Sequence, residues 1–309
     1  MKRKVILMGG KTYVLSLPAS WIKKYGIGKS QELEVEEKDN TILISTDKEI
    51  GSSKIKNLDF TNFKSRSLLY NYIYAAYITG NEEIKILFKT EEQSKIIKKV
   101  IEDLIGFAIL SETKNSMILK DVTGSKTEFK PMLRRVFFIL NALVTEGLET
   151  IEKNDFKELE EVIAKDHNMN KYYLFCLRYL NKNELGSASN NLSTYAFLNS
   201  IEAVGDKYSD LYKLLVSMNK KVSLEIISLF EKVNKAFIKV LDLFYVQNQD
   251  QFIEGLNDLK KDVPKLREEI KEFIGKPNKE NAVIASYLLT IIEGINDSIN
   301  DLLISSQAY

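Results

Sequence analysis

Two stretches of the chain repeat the same four-residue spacing of acidic side chains. Residues 201–211 read IEAVGDKYSDL and residues 292–302 read IEGINDSINDL, so both follow Ile-Glu-x-x-x-Asp-x-x-x-Asp-Leu. Four residues advance an α-helix by ~400°, which keeps the three carboxylates of each stretch on one face. The first ladder is Glu202, Asp206 and Asp210, and the second ladder is Glu293, Asp297 and Asp301.

The helical segments between the ladders carry further carboxylates with related spacing. A third ladder consists of Glu254, Asp258 and Asp262. The matching segment before the first ladder keeps only Glu158 and Asp166, because Val162 stands between them. We expect the third ladder to face the second ladder across two adjacent helices, which would place six carboxylates in one patch.

Oxygen ligands in this arrangement favour a hard cation. Like charges at four-residue spacing repel by a few tenths of a kcal/mol per pair, so a repeated ladder needs either solvent or a cation. We expect Mg, Mn or Fe, with Ca also compatible with oxygen-only ligands. The alternative is an acidic, solvated face that binds nothing.

Catalytic chemistry is not expected from these residues. A di-iron bundle needs inward Glu-x-x-His pairs, whereas His167 is the single histidine and Ala164 precedes it by three residues. Neither a glycine-rich phosphate loop nor a Ser/His/Asp set is visible. We therefore expect a protein that is not an enzyme.

The overall composition is that of an ordinary globular protein, with 309 residues, 44% hydrophobic and 28% charged. This length predicts two or three domains. The longest near-apolar run, residues 136–144, is too short to span a bilayer, so we expect no transmembrane segment. A single cysteine, Cys176, excludes an internal disulfide and fits a reducing compartment, which favours a cytoplasmic location.

Charge is unevenly distributed along the chain. Residues 1–31 contain seven Lys or Arg and no Asp or Glu, although the whole chain has a net charge of only +1. The remaining residues are therefore net acidic. A basic N-terminus on an acidic body suggests an anionic partner at that end.

The first 48 residues show the signals of two small hairpins joined by a short helix. Two β-rich runs, 4–8 and 12–17, flank the turn signal Gly9-Gly10. Pro18 suits the first turn of a helix and Gly26 suits its C-terminal cap. The runs 32–36 and 41–45 predict the second hairpin, with a turn at Asp39-Asn40. A module this small buries little surface, so we expect it to dimerise.

The stretch KVILMGGKTYVLSLPASWIKKYGIGKSQELEVEEKDNTILIS resembles a SpoVT/AbrB-type DNA-binding domain over residues 2–46. It departs from that family at Gly28-Lys29-Ser30-Gln31, where a Gly-Asp pair is usual. The resemblance implies a swapped-hairpin homodimer that binds duplex DNA. The basic residues expected to contact DNA are Lys2, Arg3, Lys4, Lys11, Lys23 and Lys24. The alternative is that this N-terminal module, the head, only dimerises, with Trp21 as a core or dimer anchor.

The remaining chain divides into a mixed segment and a helical one. Residues 49–127 predict a small α+β module. From residue 128 onward the 3.6-residue periodicity predicts six helices in two tandem three-helix bundles, 128–219 and 220–309. The first and second ladders lie on the third helix of each bundle. The fold class is therefore multidomain, with a β-rich head, an α+β module and an all-α region.

The helical region also resembles a family. Glu202-Ala-Val-Gly-Asp206 is similar to the Glu-x-x-x-Asp signature of PhoU domains, and the resemblance spans roughly residues 130–306. Glu293-Gly-Ile-Asn-Asp297 keeps the carboxylates but loses the glycine. The resemblance implies surface metal clusters and contact with a phosphate ABC transporter subunit or a sensor protein. Together with the head, it implies an archaeal-type regulator of phosphate uptake.

Three hypotheses follow for the function. The first is a dimeric, DNA-binding regulator of phosphate homeostasis. The second is a protein–protein adaptor on a phosphate transporter, whose head serves only dimerisation. The third is an antitoxin-like regulator, which the long helical region disfavours because antitoxin tails are usually short and disordered.

Overall fold

The computed structural model describes residues 2–38, 41–46, 54–123, 128–183, 188–275 and 278–306. The chain forms two compact units, Met1–Lys54 and Ile55–Tyr309. The boundaries expected at 127/128 and 219/220 both fall inside the second unit. We describe the first unit, the head, and the second unit separately.

The head has the predicted order of hairpin, helix and hairpin. Its elements are β1 (Val5–Met8), β2 (Thr12–Leu15), α1 (Ala19–Tyr25), β3 (Glu34–Lys38) and β4 (Thr41–Ser45). Both strand pairs are antiparallel. Gly9 and Gly10 adopt φ of 59° and 74°, and Gly26 caps α1 with φ of 63°, which are left-handed conformations that favour glycine. The turn expected at Asp39-Asn40 lies outside the described residues.

The second unit begins with a four-stranded mixed sheet and two helices. Its elements are β5 (Ile55–Asp59), α2 (Arg66–Ile78), β6 (Glu83–Leu87), α3 (Glu91–Ile101), β7 (Phe107–Glu112) and β8 (Ser116–Asp121). The strand order is β5-β6-β8-β7, in which β5 and β6 are parallel and the other pairs antiparallel. The α+β class is as predicted, and β5 is a strand that the sequence did not predict. Thr90 and Gln93 form a capping box that fixes the start of α3.

Seven helices follow among the described residues. They are α4 (Phe129–Lys153), α5 (Phe156–His167), α6 (Met169–Lys182), α7 (Ala188–Met218), α8 (Leu224–Leu243), α9 (Gln249–Ile274) and α10 (Lys279–Ser306). The prediction of six helices was wrong, because the second one is divided at Asn168 into α5 and α6. The division has a packing cause, since α6 contacts α2, and its Tyr173 and Leu174 join the core of the sheet module.

One hydrophobic core extends through both predicted bundles, from Phe129 to Leu302. Two linked, buried hydrogen bonds cross this core. The Tyr208 hydroxyl of α7 donates to Oδ1 of Asn234 on α8 at 2.8 Å, and Nδ2 of Asn234 donates to the carbonyl of Val144 on α4 at 2.6 Å. These hydrogen bonds are buried, and each polar group in them has a partner. They connect α4 and α7 of the first predicted bundle to α8 of the second.

A buried arginine connects the sheet module to the helices through hydrogen bonds and an ion pair. Arg178 of α6 has 4% of its side chain exposed, and its Nη1 donates to the carbonyl of Tyr77 at 2.7 Å. Its Nη2 donates to Oδ2 of Asp121 at 2.9 Å. Arg178 also lies 4.8 Å from the ring centroid of Tyr77 and 4.9 Å from that of Phe107. These contacts connect α2, β7 and β8 to α6.

Cys176 is fully buried, and burial raises the pKa of its thiol to about 12. Both observations fit a packing role for this residue. Residues 279–305 of α10 are long and apolar enough to cross a membrane by length and composition alone. Half of an apolar 18-residue window in that stretch is buried in the protein, as is usual for the core helix of a bundle.

Candidate functional site

The six basic residues expected to contact DNA all lie on the surface of the head. Lys2, Arg3 and Lys4 precede β1, and Lys11 follows the Gly9-Gly10 turn. Lys23 and Lys24 occupy the last turn of α1, where cations also complement the helix dipole. All six side chains are exposed. The structure therefore leaves them accessible to phosphate groups.

The head also exposes an unusual amount of apolar surface. Among its described residues, 2–38 and 41–46, no hydrophobic side chain is buried. The most exposed are Tyr13 at 75% and Ile42 at 67%. The others, each about half exposed or more, are Val5, Ile6, Leu7, Met8, Leu15, Val35 and Leu43. A folded unit without its own core needs a covering surface, and this pattern is typical of an interface.

The sequence predicted dimerisation from the size of the head and did not single out these apolar side chains. A signal was available in β1, whose residues Val-Ile-Leu-Met are apolar on both faces of the strand. A single small hairpin buries at most one face within a protomer. Trp21, the suggested anchor, is half-buried, and its ring centroid lies 5.7 Å from that of Tyr25.

In the second unit the carboxylates of the ladders point outward. Glu202 and Asp301 are half-buried, and the other carboxylates of the three ladders are exposed. Several already contact basic side chains. Asp210 accepts from Lys213 at 2.9 Å, and Glu293 lies 3.4 Å from the guanidinium of Arg267.

The third ladder does not share one patch with the second. Asp258 of α9 accepts from Lys239 of α8 at 2.7 Å, and this contact lowers the pKa of the Asp258 carboxyl. The α10 side of α9 is occupied by Lys260, which donates to Asn300 at 2.6 Å, and by Arg267. Asp258 and Lys260 are two positions apart on α9, so their side chains point ~200° apart. The third ladder therefore lies on the α8 side of α9, and the second ladder lies on the α10 side.

The first ladder borders a tyrosine on α6. Burial and the nearby Glu202, Tyr195 and Asp206 raise the pKa of the Tyr173 hydroxyl well above its usual range, and this hydroxyl donates to Oδ1 of Asn199 at 2.6 Å. Glu158 is exposed near the start of α5, where its backbone N–H donates to Asp155. The side chain of Asp166 lies outside the described residues.

These placements bear on the expected metal. Within the part of the chain that the structure describes, no three His, Cys, Asp or Glu side chains come together as a metal-holding group. The ladders are thus not preassembled as a metal cluster there. Binding of Mg, Mn or Fe by the ladders stays a prediction.

Comparison with known families agrees with the geometry of the head. Residues 6–51 match the family model described as antidote-toxin recognition MazE, bacterial antitoxin. No curated protein and no solved structure matches the chain. The match covers the two hairpins and α1 and leaves the second unit outside it. The N-terminal unit is therefore an AbrB/MazE-like domain, joined to a second unit composed of a mixed sheet and a helical region.

Proposed function

We propose that this protein is a dimeric, DNA-binding regulator whose head pairs with the head of a second copy. The observation that carries the proposal is the combination in one small unit of uncovered apolar strands and exposed basic side chains. The apolar strands supply the dimer interface. The basic side chains, doubled by dimerisation, supply the phosphate contacts.

Electrostatics supports the DNA-binding part of the proposal. Residues 1–31 contribute seven positive charges and no negative ones, so two copies bring fourteen to one small body. Lys and Arg contacts to phosphates account for most sequence-independent affinity and make it depend steeply on salt. The remaining surface is net acidic, and it would repel DNA elsewhere on the protein.

We further propose that the helical region gives the regulator its phosphate-related role. The support is the PhoU-like Glu202-Ala-Val-Gly-Asp206 stretch and its outward-facing repeat on α10. In this role the ladders would offer a surface for Mg, Mn or Fe, or for a basic segment of a phosphate transporter subunit or sensor protein. We propose a cytoplasmic location and no enzymatic activity.

An antitoxin-type regulator is the second candidate, and the family match at residues 6–51 favours it. In that case the partner would be a toxin protein bound by the chain beyond the head. Against this, the described residues between 129 and 306 form helices around a continuous core and do not form a short tail that folds on a toxin. An adaptor whose head only dimerises remains the third candidate.

Two measurements separate these candidates. Titration of a fluorescent duplex at several salt concentrations distinguishes a regulator from an adaptor, since the regulator's affinity falls steeply with salt and the adaptor does not bind. Transcript profiles under phosphate limitation, with and without the gene, test the phosphate role. A change confined to phosphate-uptake genes supports it, and an unchanged profile contradicts it.

A further inference from the structure

A groove in the second unit combines two aromatic rings with two cations. Its lining residues belong neither to the head nor to the three ladders. The groove encloses about 420 Å³ between α4 and the start of α6. This volume lies within the ~300–1,000 Å³ usual for small-molecule sites. Its lining includes Arg135, Phe138, Ala142, Glu146, Lys171 and Tyr172.

Both cations of the groove lie close to its aromatic rings. The guanidinium carbon of Arg135 lies 5.2 Å from the ring centroid of Phe138 and 5.9 Å from that of Tyr172. The Lys171 ammonium lies 5.2 Å from the centroid of Tyr172. Neither Arg135 nor Lys171 forms an ion pair with a carboxylate among the described residues, so both charges are available to an anion.

Packing alone does not account for this arrangement. Phe138 is 63% exposed, although its neighbours Phe137 and Ile139 are buried in the core. A single exposed ring is common on protein surfaces. Here, however, the exposed ring stands beside a second ring, two unpaired cations and a concavity deepened by the small side chain of Ala142.

We propose that this groove binds a nucleotide unit, with the phosphate held by Arg135 and Lys171 and the base stacked on Phe138 and Tyr172. A guanidinium offers a planar fork that matches phosphate oxygens, and aromatic side chains bind any base through its π-face. Glu146 stands about three helical turns, or ~16 Å, from Arg135 along α4, which keeps its charge away from the phosphate.

The same nucleotide chemistry has two possible sources, a free nucleotide or a single-stranded nucleic acid. The full-length protein is titrated by calorimetry with adenosine triphosphate and, separately, with single-stranded oligothymidine. The test variants are Arg135→Gln and Phe138→Ala, two exposed positions whose substitution leaves the core intact. The matched control is Arg134→Gln, an exposed neighbour on α4 that does not line the groove. Thermal melting of each variant establishes that it is folded.

The expected result is binding that both test variants weaken and Arg134→Gln preserves, with about a tenfold loss for Arg135→Gln, as for one charge-assisted hydrogen bond. Binding of the triphosphate in this pattern assigns a free nucleotide. Binding of oligothymidine alone in this pattern assigns a single strand. Absence of binding by both probes overturns the proposal, as does binding that Arg135→Gln and Arg134→Gln reduce equally.

Discussion

The guanidinium of Arg178 on α6 lies 2.9 Å from the carboxylate of Asp121 at the end of β8. Arg178 is almost completely buried and Asp121 is 13% exposed, so the pair sits where the sheet module meets the helices. Lys182 also reaches Asp121 at 3.8 Å and Glu82 at 3.5 Å. This pair therefore joins the module to the helices, and both lie within one compact unit.

Loss of this arginine is expected to destabilise the second unit strongly. Arg178→Ala leaves the Asp121 carboxylate and the carbonyl of Tyr77 without their donor in a buried site. Breaking a buried ion pair from one side costs about 3–5 kcal/mol. Chemical denaturation followed by circular dichroism measures the change in the free energy of unfolding.

Arg267→Ala is the matched control for Arg178→Ala, since Arg267 also faces a carboxylate, Glu293, but both side chains are 48% exposed. An exposed pair of this kind contributes about 0–1 kcal/mol. Equal losses for the two variants would contradict the assignment of Arg178 as the joint between module and helices.

Asp121 should also make the stability of the second unit dependent on pH. Burial acts to raise the pKa of this carboxyl, but the hydrogen bonds from Arg178 and Thr123 outweigh it and hold the pKa below its ordinary value. A depressed folded-state pKa stabilises the protein above the unfolded-state pKa of about 4, and that contribution is lost as pH falls through the lower, folded-state value.

Asp121→Asn removes that titration. Unfolding free energies measured from pH 7 down to strongly acid conditions should fall less between pH ~5 and ~2 for the variant than for the natural protein. The variant should be less stable near pH 7, because the ion pair is gone. An identical pH profile for the two proteins would show that Asp121 does not contribute through its charge.

The apolar face of the second hairpin in the head is expected to be buried in the dimer. Val35 and Ile42 stand on the same face, 62% and 67% exposed in the protomer. If this face is exposed to solvent, replacing both residues with Lys should not change the association state. If the face is buried in a dimer, the same substitutions place charges in the interface. We therefore expect dissociation in sedimentation velocity, with the helical circular dichroism signal preserved.

The control for this pair is Leu224→Lys, a substitution at a side chain that is 79% exposed on α8 of the second unit. It should leave the sedimentation coefficient unchanged. Deletion of residues 1–48 provides a second check, since the remaining chain should stay helical and become less associated. An unchanged dimer after either head alteration would place the dimer interface elsewhere.

Metal binding by the ladders gives a fourth prediction. If the ladders bind cations, protein purified without chelator contains Mg, Mn or Fe, and Asp297→Asn with Asp301→Asn lowers the metal content more than Asp206→Asn with Asp210→Asn. The reason is that Asp210 already accepts from Lys213 at 2.9 Å, whereas Asp297 and Asp301 form no ion pair among the described residues. Elemental analysis without metal, together with a melting temperature that added Mg, Mn or Fe does not change, would leave the ladders as solvated or protein-docking faces.

Local signals explain why the head could be predicted well. Gly9-Gly10 and Gly26 require left-handed backbone, so the sequence marked the first turn and the end of α1 closely. The strand β5 was missed because Ile-Lys-Asn-Leu-Asp has little alternation and only one buried residue, Leu58. Its parallel pairing with β6 is a non-local contact that no short pattern reveals.

The partners of charged side chains could not be predicted, because they depend on which helices lie side by side. Lys239 reaches Asp258 only because α8 packs beside α9. Arg178 did leave one signal, since it stands between Leu177 and Leu180 on a face of α6 that also holds Leu174. A charged residue on an apolar stripe indicates a buried partner, but that partner is distant in the sequence.

DNA binding by the head can be measured through the salt dependence of its affinity for duplex DNA. Lys2, Arg3 and Lys4 are replaced together by Ala, and the logarithm of the association constant is plotted against that of the salt concentration. The control replaces Lys153, Lys157 and Lys221, three exposed residues of the second unit, and so removes the same charge elsewhere. We expect the slope to shrink by about 0.9 per lost phosphate contact in the head variant only. An unchanged slope in the head variant, or an equal change in the control, would contradict it.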